Sequence, residues 1–447
     1  MASDAKKRLV DRGTAVDRIS NLPGNVTDHI LERLPLHDAA RTSILSKTWR
    51  GLWGMHPNLV FDEAFFSQLV SKMNNQVRVS KVSKIISNIL LVNHGPILKF
   101  HLLIPQFMHL HLDADLWIKN ISNLGVKDFM LRNKEPFPYK MTSYLFSCLE
   151  LTHLSLTNCI LNPPHRFGGF GNLINVQLVL VKITADMSFG TRLNVLQLDN
   201  CTGIEHLECQ FKFDNKYLTE LIIINCGEFN WKWLECTQKL QILGLLTTEV
   251  PDSRKKEINL EKLVRDMPRI QILFLHSFFL EFLEPGAVTM KRLTTKNLVC
   301  MSVHHFEFYD LVRIRNVLCL MSSSPNLRSL YLYMDGKVKS KDGLDLVGSS
   351  EHMVGSSEHM VSSVVQYLQS PTLVEMIFDK LQTVKIHKMV GSRAELQFIK
   401  LLLASSPLLR WIKLLNTTID DPKEELRILK ELMSFPRASK AAQIIWT

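Results

Sequence analysis

The 447-residue chain lacks the motifs and segments by which most enzymes and membrane proteins are recognised. It contains no glycine-rich phosphate loop, no HExxH, no Gly-x-Ser-x-Gly and no Cys–His catalytic signature. No apolar run reaches the roughly 18 residues that a membrane-spanning helix needs. The basic residues at 6–8 are not followed by the apolar core of a secretory signal. We therefore expect no catalytic activity, no cofactor and no membrane partner.

Paired cysteines and long basic runs are missing as well. The eight cysteines are spread singly, which predicts reduced thiols and a location in the cytoplasm, the nucleus or both. The net charge of +10 comes from 53 basic and 43 acidic residues, but the basic residues form only short runs, at 6–8 and 254–256. The first run could be a nuclear signal. Nucleic-acid binding needs basic residues gathered on one face with aromatics between them, so no nucleic-acid partner is expected.

Residues 17–61 carry apolar side chains at helical spacing. The first set falls on one helical face and comprises Val26, Ile30, Leu31 and Leu34. Pro35 ends this helix, because the residue before a proline is driven out of the α region. A second helix is expected to have Asp38 as its cap and to place Ile44 and Leu45 on its buried side. A third carries Trp49 and Trp53.

Three short helices bury little area, so such a unit is only marginally stable alone. An exposed apolar surface that includes two tryptophans would be expected to meet a partner. The stretch therefore has the character of a docking module.

The same stretch closely resembles the plant F-box motif. The matching features are Leu22-Pro23, Ile30-Leu31, Leu34-Pro35, ARTS at 40–43, LSK at 45–47 and WRGLW at 49–53. The resemblance implies docking onto the Skp-type adaptor of an SCF ubiquitin ligase, and through that adaptor onto a cullin. The positions that it assigns to adaptor binding are Leu22, Pro23, Ile30, Leu31, Leu34, Pro35, Ser46, Trp49 and Trp53. Several of them also suit the core of a small helical domain.

From residue 97 onward the chain repeats a pattern with apolar residues at positions 1, 4 and 6. About twelve copies occur, mostly about 20 to 30 residues apart, with clear examples starting at Leu151, Leu193 and Leu218. This is the leucine-rich-repeat signature, in which each unit is a strand with a helical or irregular return and must stack on its neighbours. Asn-Cys pairs recur at equivalent positions, 158–159, 200–201 and 225–226. In leucine-rich-repeat proteins such residues turn the chain after the strand and fill the core.

Two later segments depart from the simple repeat. Residues 336–360 are polar and glycine-rich and contain VGSSEHM twice in succession, which predicts a flexible insert. The last 70 or so residues are similar to the FBD region at the C-terminus of many plant F-box proteins. The elements expected there are a strand at 381–387, a helix at 393–404, a strand at 409–415 and a helix at 422–433. This region is expected to cap the repeats.

These features predict an α/β protein. A short N-terminal α-helical F-box is followed by an irregular leucine-rich-repeat solenoid, with a parallel sheet and helical returns, and by a C-terminal FBD cap. The predicted segments are a disordered tail at 1–16, the F-box at 17–61, a helical linker at 62–96, the solenoid at 97–375 with its insert at 336–360, and the FBD region and cap at 376–447.

A histidine–aspartate string invites a metal-site interpretation. The string consists of His109, His111, Asp113 and Asp115, which would lie on one side of a strand. A half-exposed strand leading into a helix near residues 116–118 is the favoured interpretation, so no metal is expected.

The leading hypothesis is a non-catalytic subunit that selects a protein target for ubiquitylation. Trp231 and Trp233 are candidates for target binding, because two aromatics at spacing two could line one face of the repeats and aromatics are enriched at binding hot spots. The target itself cannot be read from the sequence. The alternatives are a repeat-based interaction scaffold that is not coupled to ubiquitylation, and a receptor that holds a small molecule in the concave face of the repeats.

Overall fold

A computed structural model describes residues 19, 22–70, 75–106, 108–209, 217–226, 238–246, 267–282, 295–334, 362–417, 419 and 421–447. The chain forms two compact units, divided between Cys159 and Ile160. None of the helices in these ranges is both long enough and apolar enough to cross a lipid bilayer.

Three short helices form an N-terminal helical domain at the start of the first unit. They are α1 (Gly24–Arg33), α2 (Leu36–Thr42) and α3 (Lys47–Trp53). Pro23 and Pro35 precede the first two helices, and each proline carbonyl accepts hydrogen bonds from the N–H groups three and four residues ahead. Proline suits this place because it has no N–H to leave unpaired. The helix α2 therefore begins at Leu36, and the expected cap at Asp38 is wrong.

The rest of the first unit contains a parallel sheet and three more helices. The strands, in spatial order, are β1 (Asn58–Phe61), β2 (Lys99–Ile104), β3 (Asp128–Asn133) and β5 (His153–Leu161), with β4 (Tyr139–Lys140) paired to β5. The helices are α4 (Glu63–Val70), α5 (Asn75–Val92) and α6 (His111–Ile121). Inward side chains of the strands fill the core, where the rings of Phe100 and Phe129 stack with centroids 5.9 Å apart.

Helix α6 replaces the strand that the histidine–aspartate string predicts, so that prediction is wrong. The alternation covers only seven residues, whereas buried side chains continue at helical spacing through Ala114, Trp117, Ile118 and Ile121. The two aspartates connect α6 to its surroundings. Asp113 accepts a hydrogen bond from the Ser83 hydroxyl at 2.7 Å, and Asp115 accepts one from the Tyr139 hydroxyl.

The second unit is built on a parallel sheet to which successive repeats each contribute a short strand. The strands, in spatial and chain order, are β6 (Asn175–Ile183), β8 (Val195–Asp199), β10 (Glu220–Ile224), β11 (Ile242–Leu246), β12 (Ile272–His276), β13 (Cys300–His304), β14 (Ser329–Tyr333), β15 (Thr383–His387), β16 (Trp411–Leu415) and β17 (Gln443–Trp446). Strands β7 (Met187–Phe189) and β9 (Leu207–Cys209) form a separate parallel pair.

Helical returns connect several of these strands. They are α7 (Leu311–Ser322), α8 (362–368), α9 (Pro371–Val374), α10 (Arg393–Ser405) and α11 (Pro422–Ser434), together with short 3-10 helices at Ile204–His206 and Ser277–Phe282. Helix α10 begins with a capping box. The Ser392 hydroxyl accepts the Glu395 N–H at 3.3 Å, and the Glu395 carboxylate accepts the Ser392 N–H at 2.6 Å.

The strands of the second unit share one register. One continuous buried row runs through Leu198, Ile223, Leu245, Leu275, Val303, Leu332, Ile386 and Leu414. The residues on either side of each row member point outward and are mostly half-buried. The core therefore lies on one side of the sheet, and the other side presents a separate set of side chains.

A left-handed residue lies two positions beyond the buried row or its equivalent in most repeats. The φ angles lie between 46° and 60° at Asn158, Leu180, Asn200, Asn225, His305, Lys388 and Asn416. Asparagine tolerates this conformation better than most side chains. The cysteines that follow three of the asparagines, at 159, 201 and 226, are buried. The expected roles in the Asn-Cys pairs, in which the asparagine turns the chain and the cysteine fills the core, are therefore confirmed.

Candidate functional site

The N-terminal helical domain has a small core with one buried residue from each helix. These are Leu31, Ala39 and Trp49, and the partly buried residues that pack against them are Leu22, Leu34, Leu52 and Trp53. The Trp49 indole N–H also donates to the Ile19 carbonyl at 3.3 Å. Five of the predicted adaptor-binding positions thus lie in or against this core, where they hold the helices together.

Three further predicted positions lie at the starts of helices. Pro23 and Pro35 are exposed and precede α1 and α2. Ser46 is half-buried and caps α3, because its hydroxyl accepts the Trp49 N–H at 3.3 Å. This bond fixes the start of the helix that carries the Trp49 indole into the core.

The remaining predicted position, Ile30, is an exposed apolar side chain. It lies one helical turn from Val26 on α1, and the two are 36% and 38% exposed. Ile44 and Leu45 are exposed further, by 80% and 57%. Both lie in the turn between α2 and α3, so the expectation that they are buried is wrong. We call Val26, Ile30, Ile44 and Leu45 the exposed apolar set.

The turn that carries Ile44 and Leu45 is well ordered by hydrogen bonds. The N–H groups of residues 43, 44 and 45 each donate to the carbonyl three residues before, at 2.9 to 3.2 Å. The Thr42 hydroxyl also donates to the Ala39 carbonyl, at 2.6 Å. Side chains displayed on a frame that is already fixed lose less entropy when a partner binds. Ser46, as a cap residue three positions before Trp49, is the sequence signal that would have placed residues 43–45 in a connecting turn.

The end of α3 is joined to the end of α5. The His94 N–H donates to the Gly54 carbonyl at 2.6 Å, and the Asn93 side-chain amide (Nδ2) donates to the His56 carbonyl at 2.8 Å. A Cβ atom on Gly95 would stand 3.1 Å from the Met55 backbone, so the two segments approach closely. Burial lowers the pKa of His56 and keeps its ring neutral at pH 7. Backbone contacts therefore fix the helical domain to the body of the first unit.

The two tryptophans predicted to bind a target, Trp231 and Trp233, lie outside the described residues. Among the residues that are described, no three His, Cys, Asp or Glu side chains come together as metal ligands would.

Comparison with known proteins places this geometry in context. Residues 19–61 match the F-box domain. Over nearly its whole length the chain is similar to an F-box/FBD/LRR-repeat protein of Arabidopsis thaliana, with 28% identity over 451 residues that cover 97% of this chain and 99% of the relative. A second F-box/FBD/LRR-repeat protein of that plant is 24% identical with both chains covered in full. An F-box/LRR-repeat protein of Arabidopsis is 31% identical over 52% of this chain and 41% of its own.

Two solved structures are distantly similar. One is a leucine-rich-repeat protein of Leptospira interrogans, with 15% identity, coverage of 87% of this chain and 94% of that one, and a TM-score of 0.34. The other is an internalin of Listeria monocytogenes, with 12% identity, coverage of 85% and 96%, and a TM-score of 0.37. The strand register itself, and not these scores, carries the fold assignment. The chain thus combines an N-terminal F-box domain with a leucine-rich-repeat type of parallel sheet, and the predicted resemblance to plant F-box/FBD/leucine-rich-repeat proteins is confirmed.

Proposed function

We propose that this protein is the substrate-recognition subunit of an SCF-type ubiquitin ligase. Its F-box domain docks a Skp-type adaptor, and the adaptor connects it to a cullin. The observation that carries the proposal is the exposed apolar set, which a domain matching the F-box displays on a hydrogen-bonded frame. Large apolar side chains held at the surface are typical of a protein interface.

In this role the chain performs no bond-making step of its own. It raises the effective concentration of a target near the conjugating enzyme, as two linked binding modules do. The sheet of the second unit supplies the target-binding module, with one or more outward side chains per strand. The cysteines support a reducing compartment, the cytoplasm or the nucleus, because six of the eight are free thiols.

The contacts between the end of α3 and the end of α5 limit how far the F-box domain can move relative to the rest of the first unit. A flexible joint would let the docked adaptor sample many orientations relative to the first unit. Close approach at Gly95 and the hydrogen bonds of His94 and Asn93 restrict that sampling. A restricted orientation raises the effective concentration of a bound target near the conjugating enzyme.

Charge introduced into the exposed apolar set tests the adaptor-docking proposal. The double change Ile44→Asp and Leu45→Asp is expected to weaken binding to a purified Skp-type adaptor at least tenfold in isothermal titration calorimetry, because two carboxylates would be desolvated at an apolar contact. The melting temperature is expected to stay within about 2 °C, because both side chains are exposed.

Leu112→Asp with Leu116→Asp is the matched control. These leucines are 81% and 60% exposed on α6 in the same unit, and their replacement is expected to leave adaptor binding unchanged. Unchanged binding by the Ile44 and Leu45 variant would show that the surface is wrongly assigned. Failure of the parent chain to bind any Skp-type adaptor would refute the ligase role. Adaptor binding without ubiquitylation of any bound protein would favour an uncoupled interaction scaffold.

A further inference from the structure

The outward face of strands β13–β16 carries a compact group of aromatic and basic side chains. We call this group the basic-aromatic face, and its members are His304, Tyr331, Tyr333, His387, Trp411, Lys385 and Lys413. The rings of His304 and Tyr333 stack with centroids 4.3 Å apart and planes 13° from parallel, and Tyr333 stacks on His387 at 4.3 Å and 18°. Register pairing places these three rings side by side on adjacent strands.

The two lysines are held over aromatic rings on the same face. The Lys385 Nζ lies 4.9 Å from the centroid of Tyr331, and the Lys413 Nζ lies 4.8 Å from the centroid of Trp411. The two residues are also register partners on neighbouring strands. Like charges placed directly opposite each other in a sheet are destabilising. Neither ammonium has a salt-bridge partner among the described residues.

Carboxylates are segregated from this face. The outward positions of β8 and β10 include Asp199 and Glu220, whereas those of the described strands β11–β17 include no Asp or Glu. Between the two regions, β10–β12 present a half-buried aliphatic and aromatic strip that includes Ile222, Ile272 and Phe274. The sheet therefore changes from acidic to apolar to basic along its length.

The histidine rings of the face are neutral at pH 7. Burial, with the nearby His305 and His387, lowers the pKa of His304 to about 4. Burial and Lys385 lower the pKa of His387 as well. The rings therefore act as a flat apolar platform, and the positive charge is concentrated on the two lysines.

From this arrangement we infer that the basic-aromatic face binds an extended acidic segment of a protein partner, with carboxylates at Lys385 and Lys413 and an apolar residue on the strip formed by β10–β12. The inference rests on the proposed function, since it names the chemistry of the target. A bound carboxylate would relieve the repulsion between the two lysines. Charge-assisted bonds to an ammonium are roughly twice as strong as neutral ones.

The spacing of the strands sets the length of the recognised segment. Adjacent strands lie about 4.8 Å apart, so the distance from β12 to β15 is about 14 Å. An extended chain covers that distance in about four residues. The partner segment is therefore expected to carry an apolar residue about four positions from its acidic residues.

A nucleic acid fits the face less well than a peptide. Single-stranded binding sites combine stacking with a charged groove that follows many phosphates. Here the two lysines lie side by side on adjacent strands, and the outward positions of the described strands β11–β17 hold no arginine. Two adjacent cations suit a pair of neighbouring carboxylates better than an extended phosphate backbone.

Selection from a displayed library of random twelve-residue peptides, with the full chain as bait, tests the inference. The selected peptides are expected to be enriched in Asp and Glu, with an apolar residue about four positions away. For the best peptide, replacement of its acidic residues by Gln is expected to raise the Kd at least tenfold in fluorescence anisotropy. The double change Lys385→Gln and Lys413→Gln is also expected to raise the Kd of this peptide at least tenfold. The double change Lys385→Arg and Lys413→Arg, which keeps both positive charges, is expected to leave the Kd within threefold of the parent value.

The matched control is Lys423→Gln with Lys440→Gln, which removes the same charge from exposed positions elsewhere and is expected to leave the Kd within twofold. Selected peptides without acidic enrichment, or equal affinity for the Lys385 and Lys413 variant, would overturn the inference. So would a twelve-nucleotide single strand that binds more tightly than the best peptide and loses affinity in the same variant.

Adaptor binding separates this inference from the proposed function. The Lys385 and Lys413 variant is expected to bind a Skp-type adaptor like the parent chain. The Ile44 and Leu45 variant is expected to bind the acidic peptide like the parent chain. A parent chain that binds the adaptor but no acidic peptide refutes the recognition chemistry, and a parent chain that binds the peptide but no adaptor refutes the ligase role.

Discussion

At the scale of single residues, Asp128 shows how a half-buried charge is compensated in the first unit. Its carboxylate lies 2.9 Å from the His101 Nε2 and 3.0 Å from the Lys99 Nζ, both on the neighbouring strand β2. Burial alone would raise the pKa of Asp128, but the hydrogen bonds and charges of His101 and Lys99 outweigh it, and the pKa falls to about 2. The folded state therefore holds the ionised carboxylate more tightly than the unfolded state does.

The lowered pKa of Asp128 predicts a pH dependence of stability. Because the folded pKa is below the unfolded one, the stabilisation is complete above about pH 4 and is lost as the pH falls toward 2. Asp128→Asn is expected to lower the free energy of unfolding by about 1–2 kcal/mol at pH 7, allowing for partial solvent screening. Urea unfolding at pH 7, 4 and 2 measures this. The difference from the parent chain should shrink at pH 2, and the exposed change Asp379→Asn should show no difference at any pH. A difference that is the same at all three pH values would contradict the prediction.

At the scale of elements, the left-handed residue found in seven of the repeats imposes a local conformational demand. Asparagine meets that demand at Asn158, Asn200, Asn225 and Asn416, but Leu180, His305 and Lys388 adopt the same conformation. A β-carbon in the left-handed region costs roughly 1–2 kcal/mol for most residues, and asparagine partly offsets this by local hydrogen bonding. The repeat therefore contains positions that are not optimal for stability.

Exchange of side chains at these positions should change stability in opposite directions. Leu180→Asn is expected to raise the free energy of unfolding of the second unit by about 0.5–1 kcal/mol, because Leu180 is 53% exposed and loses little packing. Asn225→Leu is expected to lower it by about 1 kcal/mol. Chemical denaturation followed by far-ultraviolet circular dichroism gives both values. Effects of the same sign for the two changes would show that side-chain packing, and not backbone conformation, determines the change in the free energy of unfolding.

The elements were more predictable than the surfaces they form. The apolar residues at positions 1, 4 and 6 predict the strands because the same residues fill the buried rows. Ile44 and Leu45 were assigned to a buried side because their spacing continues that of α2, but the chain leaves the helix at Thr42 and tightens into a turn. The basic-aromatic face could not be anticipated at all. Its lysines, Lys385 and Lys413, are 28 positions apart in the sequence, and only the register of β15 and β16 brings them together.

At the scale of the whole molecule, the parallel sheet of the second unit depends on each strand having a neighbour. Strand β17 hydrogen-bonds to β16 through the Gln443 N–H and the Arg410 carbonyl at 2.9 Å, and the Thr447 N–H donates to the Leu414 carbonyl at 2.9 Å. Without β17, the outer N–H and C=O groups of β16 would face solvent. Unpaired strand edges promote association between chains.

Removal of residues 443–447 is therefore expected to cause concentration-dependent self-association. Size-exclusion chromatography with light scattering at several concentrations would detect it as a rising mass. The control Gln443→Lys changes an exposed side chain and leaves the backbone pairing intact, so its mass should follow that of the parent chain. A truncated chain whose mass matches that of the parent at every concentration would show that β17 is not needed to prevent association through β16.

The register of the repeats places the side chains that form the core on one face of the sheet and the side chains available to a partner on the other face. Inward side chains of the sheet are constrained by their buried neighbours in the adjacent strands, whereas outward side chains are mostly half-buried and in contact with solvent. Selection for folding therefore acts mainly on one set, and selection for a partner acts on the other. Duplicated genes that encode such a chain could keep the same architecture while their outward residues diverge, so that sister proteins of one lineage come to recognise different partners.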